Sequence, residues 1–215
     1  MVDKDKQIPK IRFKGYVDEW ELIKLGNIGE VTSAGVNKKS YEGQDNVYLL
    51  NYMDVYNKKN INEDNKNELM VVTASEEEII NKNVKKGDIF FTPSSETKED
   101  IGHSLTIKHD IKNLVYSYHI MRFRPNSEVL DINYSQYCTN TEPVRKQLIF
   151  EGQGVQRVVF TISDLENTII QMPSYNEQEK IGNFFKALDD KLDQEKSKLE
   201  TFRNLKTSLL QKMFV

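Results

Sequence analysis

Residues 173–215 read PSYNEQEKIGNFFKALDDKLDQEKSKLETFRNLKTSLLQKMFV, and the plan of the chain follows from this stretch. Pro173 is a natural last stop before a helix. Asn176 can serve as N-cap, with Glu179 three residues on to close a capping box. No proline follows, and the one glycine of the run, Gly182, lies near its start. Alternating steps of four and three pass through Ile181, Phe185, Leu188, Leu192, Glu195, Leu199, Phe202, Lys206, Leu209 and Met213. Eight of these ten are apolar, and the phase holds across the two polar positions, which predicts a coiled-coil helix. Residues 176–213 at about 1.5 Å per residue make a rod of roughly 57 Å. The globule that residues 1–172 can form is too small to cover so long a seam, and those residues predict no second helix of similar length. A second molecule is therefore the expected partner, held through Ile181, Phe185, Leu188, Leu192, Leu199, Phe202, Leu209 and Met213.

The remainder of the 215-residue chain is long enough for one domain with its own core. A single cysteine, Cys138, rules out an internal disulfide and fits a reducing cytoplasm. The opening MVDKDKQIPK, which includes Lys4 and Lys6, lacks the apolar core of a signal peptide. No run approaches the roughly 18 apolar residues of a membrane span. The net charge is -3. Residues 173–215 carry eight basic and seven acidic residues, leaving 22 basic and 26 acidic in residues 1–172. A nucleic-acid binder with this balance has to gather its cations on one face.

Along residues 1–172 the pattern is of short strands with small helices inserted. Residues 20–26 (WELIKLG) read as a helical turn stopped by Gly26. Strands are predicted at 28–33, 47–52, 69–73, 89–92 and 104–108, and one alternating run at 114–124, closed by Pro125. Residues 56–67 are a polar loop or hairpin. Ser75 and Glu78 form a capping-box signature for a short helix toward Asn81, and Lys86-Gly87-Asp88 is a turn. Residues 134–150 read as helical with a restart at Pro143, and two last strands are predicted at 158–162 and 168–172. The fold class is α+β: an irregular β-rich domain over 1–172, then one long coiled-coil helix over 173–215.

Signatures of catalysis are scarce. No phosphate-cradling G-x-x-x-x-G-K-[ST] and no G-x-G-x-x-G are present. His103, His109 and His119 have no metal-ligand spacing with Cys138, and neither H-E-x-x-H nor G-x-S-x-G occurs. Asp88 followed by Glu96-Thr97-Lys98 matches the D…E-x-K wording of a metal-dependent nuclease, in which carboxylates hold Mg²⁺ and the lysine attends the phosphate. Such residues belong on paired strands, whereas Glu96 and Lys98 fall in a polar segment after Pro93. The nuclease is thus kept as an alternative, beside a coiled-coil scaffold that never touches DNA. More informative are polar loops set between strands: Lys38-Lys39-Ser40-Tyr41, Asn51-Tyr52, Ser94 and Ser95 with Thr97 and Lys98, Tyr118-His119, and Gln153-Gly154-Val155-Gln156-Arg157. Their side chains are the types that hold phosphates and read base edges. Gln156 and Arg157 stand out, because the glycines beside them let a backbone approach a partner closely.

These residues together resemble one half of the specificity subunit of type I restriction–modification systems. Pro9 to Phe13 (PKIRF) with Trp20 and Leu25-Gly26 resembles the start of a target-recognition domain. Residues 86–92 (KGDIFFT) with Ile101-Gly102 resemble its middle. Pro173 with the wording E-Q-x-x-I-G-N-F-F from Glu177, then Leu188-Asp189 and the ending Leu209-Leu210-Gln211-Lys212-Met213-Phe214, resembles the junction and spacer helix. The resemblance implies a non-catalytic reader of double-stranded DNA. Such subunits carry two recognition domains, each reading half of a split site, and two helices packed antiparallel as a ruler. Modification subunits bearing the methyltransferase chemistry and S-adenosylmethionine dock on them, and restriction subunits join indirectly. This chain has one recognition domain and one helix, so the same logic implies a homodimer, with Glu63, Asp64, Glu68 and Glu76 to Glu78 turned away from DNA. No cofactor or metal is implied for the chain itself.

Overall fold

The computed structural model describes residues 8–126 and 128–214. Lys4, Lys6 and Val215 lie outside them. In chain order the elements are β1 (Glu21–Lys24), β2 (Gly29–Thr32), β3 (Asp45–Leu50), α1 (Tyr52–Tyr56), β4 (Met70–Ala74), α2 (Glu76–Asn81), β5 (Ile89–Phe91), β6 (Ser94–Ser95), β7 (Ser104–Thr106), β8 (Leu114–Tyr116), β9 (Met121–Pro125), α3 (Ile132–Cys138), α4 (Glu142–Glu151), β10 (Val158–Val159), α5 (Ile162–Asn167), β11 (Ile169–Met172) and α6 (Tyr175–Met213). This is the α+β plan, a β-rich body followed by one long helix.

The body is built round β5. Its three residues are all buried, and successive side chains of a strand point to opposite faces. Ile89 and Phe91 therefore join one core with Phe123, Leu148, Phe160 and Ile170, while Phe90 joins a second with Leu50, Tyr116 and Ile120. The strand sits inside a four-stranded sheet of order β2-β9-β5-β7, and a three-stranded sheet of order β4-β3-β8 stands beside it. Capping chemistry sets the short helices: Ser75 and Glu78 close the capping box of α2, and Pro143 lies in the first turn of α4.

Three local readings change. Residues 21–24 form β1, antiparallel to β11, rather than a helical turn, because the ladder to 169–172 outweighs local preference. The alternating run 114–124 is two strands in different sheets. β8 pairs parallel with β3, β9 pairs antiparallel with β2 and β5, and a turn at 117–120 separates them. Residues 162–167, read partly as strand, form α5 with a Thr161–Asp164 capping box.

α6 is the predicted helix, beginning slightly earlier than expected. Ser174 holds the N-cap position and Tyr175 starts the helix, so the Asn176–Glu179 box does not form. Glu177 and Gln178 turn inward. Glu177 takes both Arg12 Nε and Arg12 Nη2 at 2.7 Å. The Gln178 side chain accepts from Asp131 N at 2.9 Å and donates to Pro173 O at 3.1 Å. Opposite them, Gly182 meets α3 so closely that an added Cβ would stand 2.5 Å from Tyr134 N and 2.8 Å from Asp131 Oδ1. Asn133 donates to Asn183 at 3.0 Å, Tyr137 donates to Asp189 at 2.7 Å, and the Tyr137 and Phe185 rings lie 5.2 Å apart. Ile181 packs half-buried against the first core. Phe185 likewise shares its ring with Tyr137. Beyond Asp190 the helix leaves the body. From residue 191 to 213 every side chain is exposed except that of Ser208, Leu192, Leu199, Phe202, Leu209 and Met213 included.

Alanine favours a helix interior over glycine by about 1 kcal/mol, yet Gly182→Ala should lower unfolding free energy by about 1–3 kcal/mol through the clash with α3. Chemical denaturation measures it; a stabilised Gly182→Ala protein would show that α6 does not dock at this distance.

Candidate nucleic-acid interface

Five segments far apart in sequence converge on one open cleft of about 560 Å³. The β2–β3 connection supplies Lys38, and α1 supplies Tyr52, Met53 and Tyr56. β6 and the residues after it supply Ser94, Ser95, Glu96, Thr97 and Asp100. His119 comes from the turn between β8 and β9, and Arg157 from the residue before β10. The pairing of β10 with β6 holds the β6 group and Arg157 together, and Arg157 Nε donates to Ser94 Oγ at 3.0 Å. The two-residue ladder ends there, leaving Arg157 at the rim of the cleft.

The wall opposite is braced through Asp100. Its carboxylate accepts from Tyr56 Oη at 3.2 Å and Thr97 Oγ1 at 3.1 Å, and His103 Nε2 lies 3.9 Å away. Arg145, from α4, reaches the carbonyls of Glu99 at 2.5 Å and Ile101 at 3.3 Å. Tyr52 stacks on Tyr56 with ring centroids 6.1 Å apart. Burial raises the Tyr52 phenol, so it enters the cleft as a protonated donor.

Of the predicted binding residues the cleft gathers Lys38, Ser94, Ser95, Thr97, His119 and Arg157. Tyr118 is half exposed and stacks on His119 at 3.9 Å. Lys39 and Ser40 are exposed on the same connection as Lys38 but do not line the cleft, and Tyr41 is tied by its backbone to Thr73 Oγ1 at 2.7 Å. Lys98 departs furthest. It lines a different groove, with Trp20, Tyr137 and Phe185. Gln153 and Gln156 are exposed on the loop tip outside the cleft.

The glycines of that loop serve the loop itself. Gln153 and Val159 exchange both backbone hydrogen bonds, and Gly154 (φ +122°) lies where a Cβ would meet Arg157 O at 2.1 Å. The close approach is internal, between Gly154 and the Arg157 carbonyl.

The nuclease alternative fails on geometry. Asp88 is buried and caps Lys85 N at 2.8 Å, and both its oxygens hold Arg124, at 2.6 and 2.7 Å. It precedes β5, whereas Glu96 follows β6, and Lys98 faces away from the cleft that Glu96 lines. Among the described residues no group of three His, Cys, Asp or Glu could hold a metal ion.

Residues 17–201 match the family model described as Type I restriction modification DNA specificity domain. The chain belongs to this family. It is similar to the specificity subunit of the type I restriction enzyme HindI from Haemophilus influenzae, 23% identical over 201 residues, which cover 93% of this chain and 41% of that subunit. Its fold matches the crystal structure of the type I restriction–modification S subunit from M. genitalium, with a TM-score of 0.62 at 16% identity, over 96% of this chain and 48% of that one. It also matches the HsdS subunit from Thermoanaerobacter tengcongensis, with a TM-score of 0.57 at 16% identity, over 90% and 48%. The chain spans less than half the length of these relatives.

Within this specificity domain the cleft carries three cationic or potentially cationic groups, Lys38, His119 and Arg157. Glu76, Glu77 and Glu78 do not line it; they form the first turn of α2, where carboxylates favour the helix N-terminus. Sequence reasoning passed over Met53, Tyr56 and Asp100, which enter the cleft through α1 and a 3₁₀ turn with no motif of their own. Arg145, hidden in a helix, gave no signal either.

Burial lowers the pKa of His119, and the nearby positive charges of Lys38 and Arg157 lower it further. The folded chain therefore binds this proton less well than the unfolded chain. Through this group, stability falls as pH drops below the ordinary imidazole value of about 6.5. An NMR titration should place the His119 midpoint below that value, and Lys38→Met should move it up. A midpoint indifferent to Lys38→Met would separate the two groups.

Proposed function

We propose that this chain is the non-catalytic sequence reader of a type I restriction–modification complex, contacting double-stranded DNA through the cleft and dimerising through α6. The observation that carries the reading is the convergence of Lys38, His119 and Arg157, with hydroxyls and an amphipathic tyrosine pair, on one concave surface of a chain whose net charge is negative. Cations gathered in this way attract phosphates, and the hydroxyls and guanidinium address base edges. Methylation and cleavage reside in partner subunits, and the modification subunits bring S-adenosylmethionine.

The exposed seam of α6 supports a second copy as its occupant, and its order supports an antiparallel pair. The stripe positions are symmetric about residue 197. Run antiparallel, Phe185 faces Leu209, Leu188 faces Lys206, Leu192 faces Phe202 and Glu195 faces Leu199. Run parallel and in register, Glu195 would meet Glu195 and Lys206 would meet Lys206 in the seam, a like-charge cost at two buried layers. Two bodies related by the two-fold axis then read two halves of an interrupted palindrome, with the helices setting the gap. The groove beside Trp20, Tyr137 and Phe185 and the outer faces of the body remain for the modification subunits.

Sedimentation of the 25.1 kDa chain at micromolar concentration should give a dimer, and Leu199→Glu should give a folded monomer, since the change lies where α6 touches nothing of its own body. Assembled with its modification subunits, the wild-type chain should select an interrupted palindrome from random duplexes. A monomeric wild-type chain would remove the dimer; selection of no sequence would remove the reader.

A further inference from the structure

The antiparallel register of β6 and β10 sets Ser94 against Val159 and Ser95 against Val158. The ladder ends there, and the residues that flank its open end in the chain are Glu96 and Arg157, an acid and a base that both line the cleft. The two do not form an ion pair. Arg157 spends its Nε on Ser94 Oγ, at 3.0 Å. Its two terminal nitrogens have no partner among the described residues, and neither has the Glu96 carboxylate. The other acid of the cleft, Asp100, is consumed by Tyr56 and Thr97. Glu96 is therefore the one free carboxylate among the described residues lining this surface, which it shares with a guanidinium whose Nε is held by the buried Ser94.

A free carboxylate is misplaced in a cleft that only holds phosphates, since it repels them. It suits an amino group on a base edge. A guanidinium fork suits the paired acceptors O6 and N7 of guanine, and the amino group next to them on the same major-groove edge is cytosine N4, which donates. The order acceptor, acceptor, donor belongs to a G·C pair. An A·T pair interrupts it with the adenine amino group and then presents thymine O4, an acceptor that faces the carboxylate unfavourably.

We infer that Glu96 and Arg157 act as one reading unit for a single G·C base pair, the arginine fork on guanine O6 and N7 and the glutamate on the N4 amino group of cytosine. This rests on the DNA-reading function proposed above and adds the base pair that this face of the cleft selects.

The test is selection from random duplexes by the full chain assembled with its modification subunits, repeated with Glu96→Gln and Arg157→Gln. The wild-type chain should return a half-site with one invariant G·C pair. Each variant should relax that position alone, by about 5- to 100-fold for each base-edge hydrogen-bonding group replaced, with the remaining positions unchanged. A duplex carrying N4-methylcytosine at that pair should bind the wild-type chain more weakly and the Glu96→Gln chain no differently. A selected half-site without an invariant G·C pair overturns the unit. So does a Glu96→Gln chain that binds all duplexes more tightly by the same factor, which would make Glu96 a mere repulsive charge. Both results leave the chain a DNA reader. Failure of the wild-type chain to select any sequence removes the reader itself.

Discussion

The distance between α6 and α3 governs how the body meets its rod. Gly182 faces the backbone of α3 with no room for a side chain, and on either side the interface is polar and specific: Arg12 grips Glu177 with two hydrogen bonds, and the Gln178 amide bridges Asp131 and Pro173. Buried polar groups tolerate few alternative geometries, because any shift leaves a donor or acceptor unpaired at a cost of about 1–3 kcal/mol. The first turns of α6 are therefore fixed in direction, and the exposed length beyond Asp190 projects from the body at a set angle. The ruler proposed for α6 requires a root clamped in this way.

The cleft is organised on a different principle. Its walls come from a 3₁₀ turn, a two-residue ladder, a one-turn helix and the tight connection between two sheets. None of these is stable alone; each is held by a bond to something deeper. Asp100 ties the wall after β6 to α1, Arg145 holds the same wall from behind through two carbonyls, and Ser94 fixes Arg157. Reading residues on irregular segments gain precision from such supports, which themselves contact nothing outside the protein.

The long helix was legible because a heptad stripe over ten positions fits little besides a coiled coil, and the E-Q-x-x-I-G wording turns out to be the docking face itself, with Glu177, Gln178, Ile181 and Gly182 all directed at the body. Ile181 shows the limit of periodicity: it fits the stripe by spacing and also packs against the core. Most strands were legible from apolar runs, while β1 was not, since residues 21–24 become a strand only through a ladder to residues nearly 150 positions away. In the cleft, Lys38, His119 and Arg157 announced themselves as polar residues in loops, but Lys98 did too and faces elsewhere. Sequence names the side chains that a loop offers. Which way each turns depends on contacts such as Gly154 with Arg157 and Asp100 with Tyr56, and these exist only once the chain is folded.

Among the described residues no hydrogen bond or ion pair links the lining of the cleft to α6; the two meet only through the sheets and α3. Substitutions along residues 38–41, 94–97, 118–119 and 153–157 can therefore accumulate without disturbing the clamp at Gly182 or the exposed stripe of α6. Under the proposed function, what the cleft recognises can drift while α6 keeps its place on the body. The fold thus separates the part that can be rewritten from the part that has to be inherited whole.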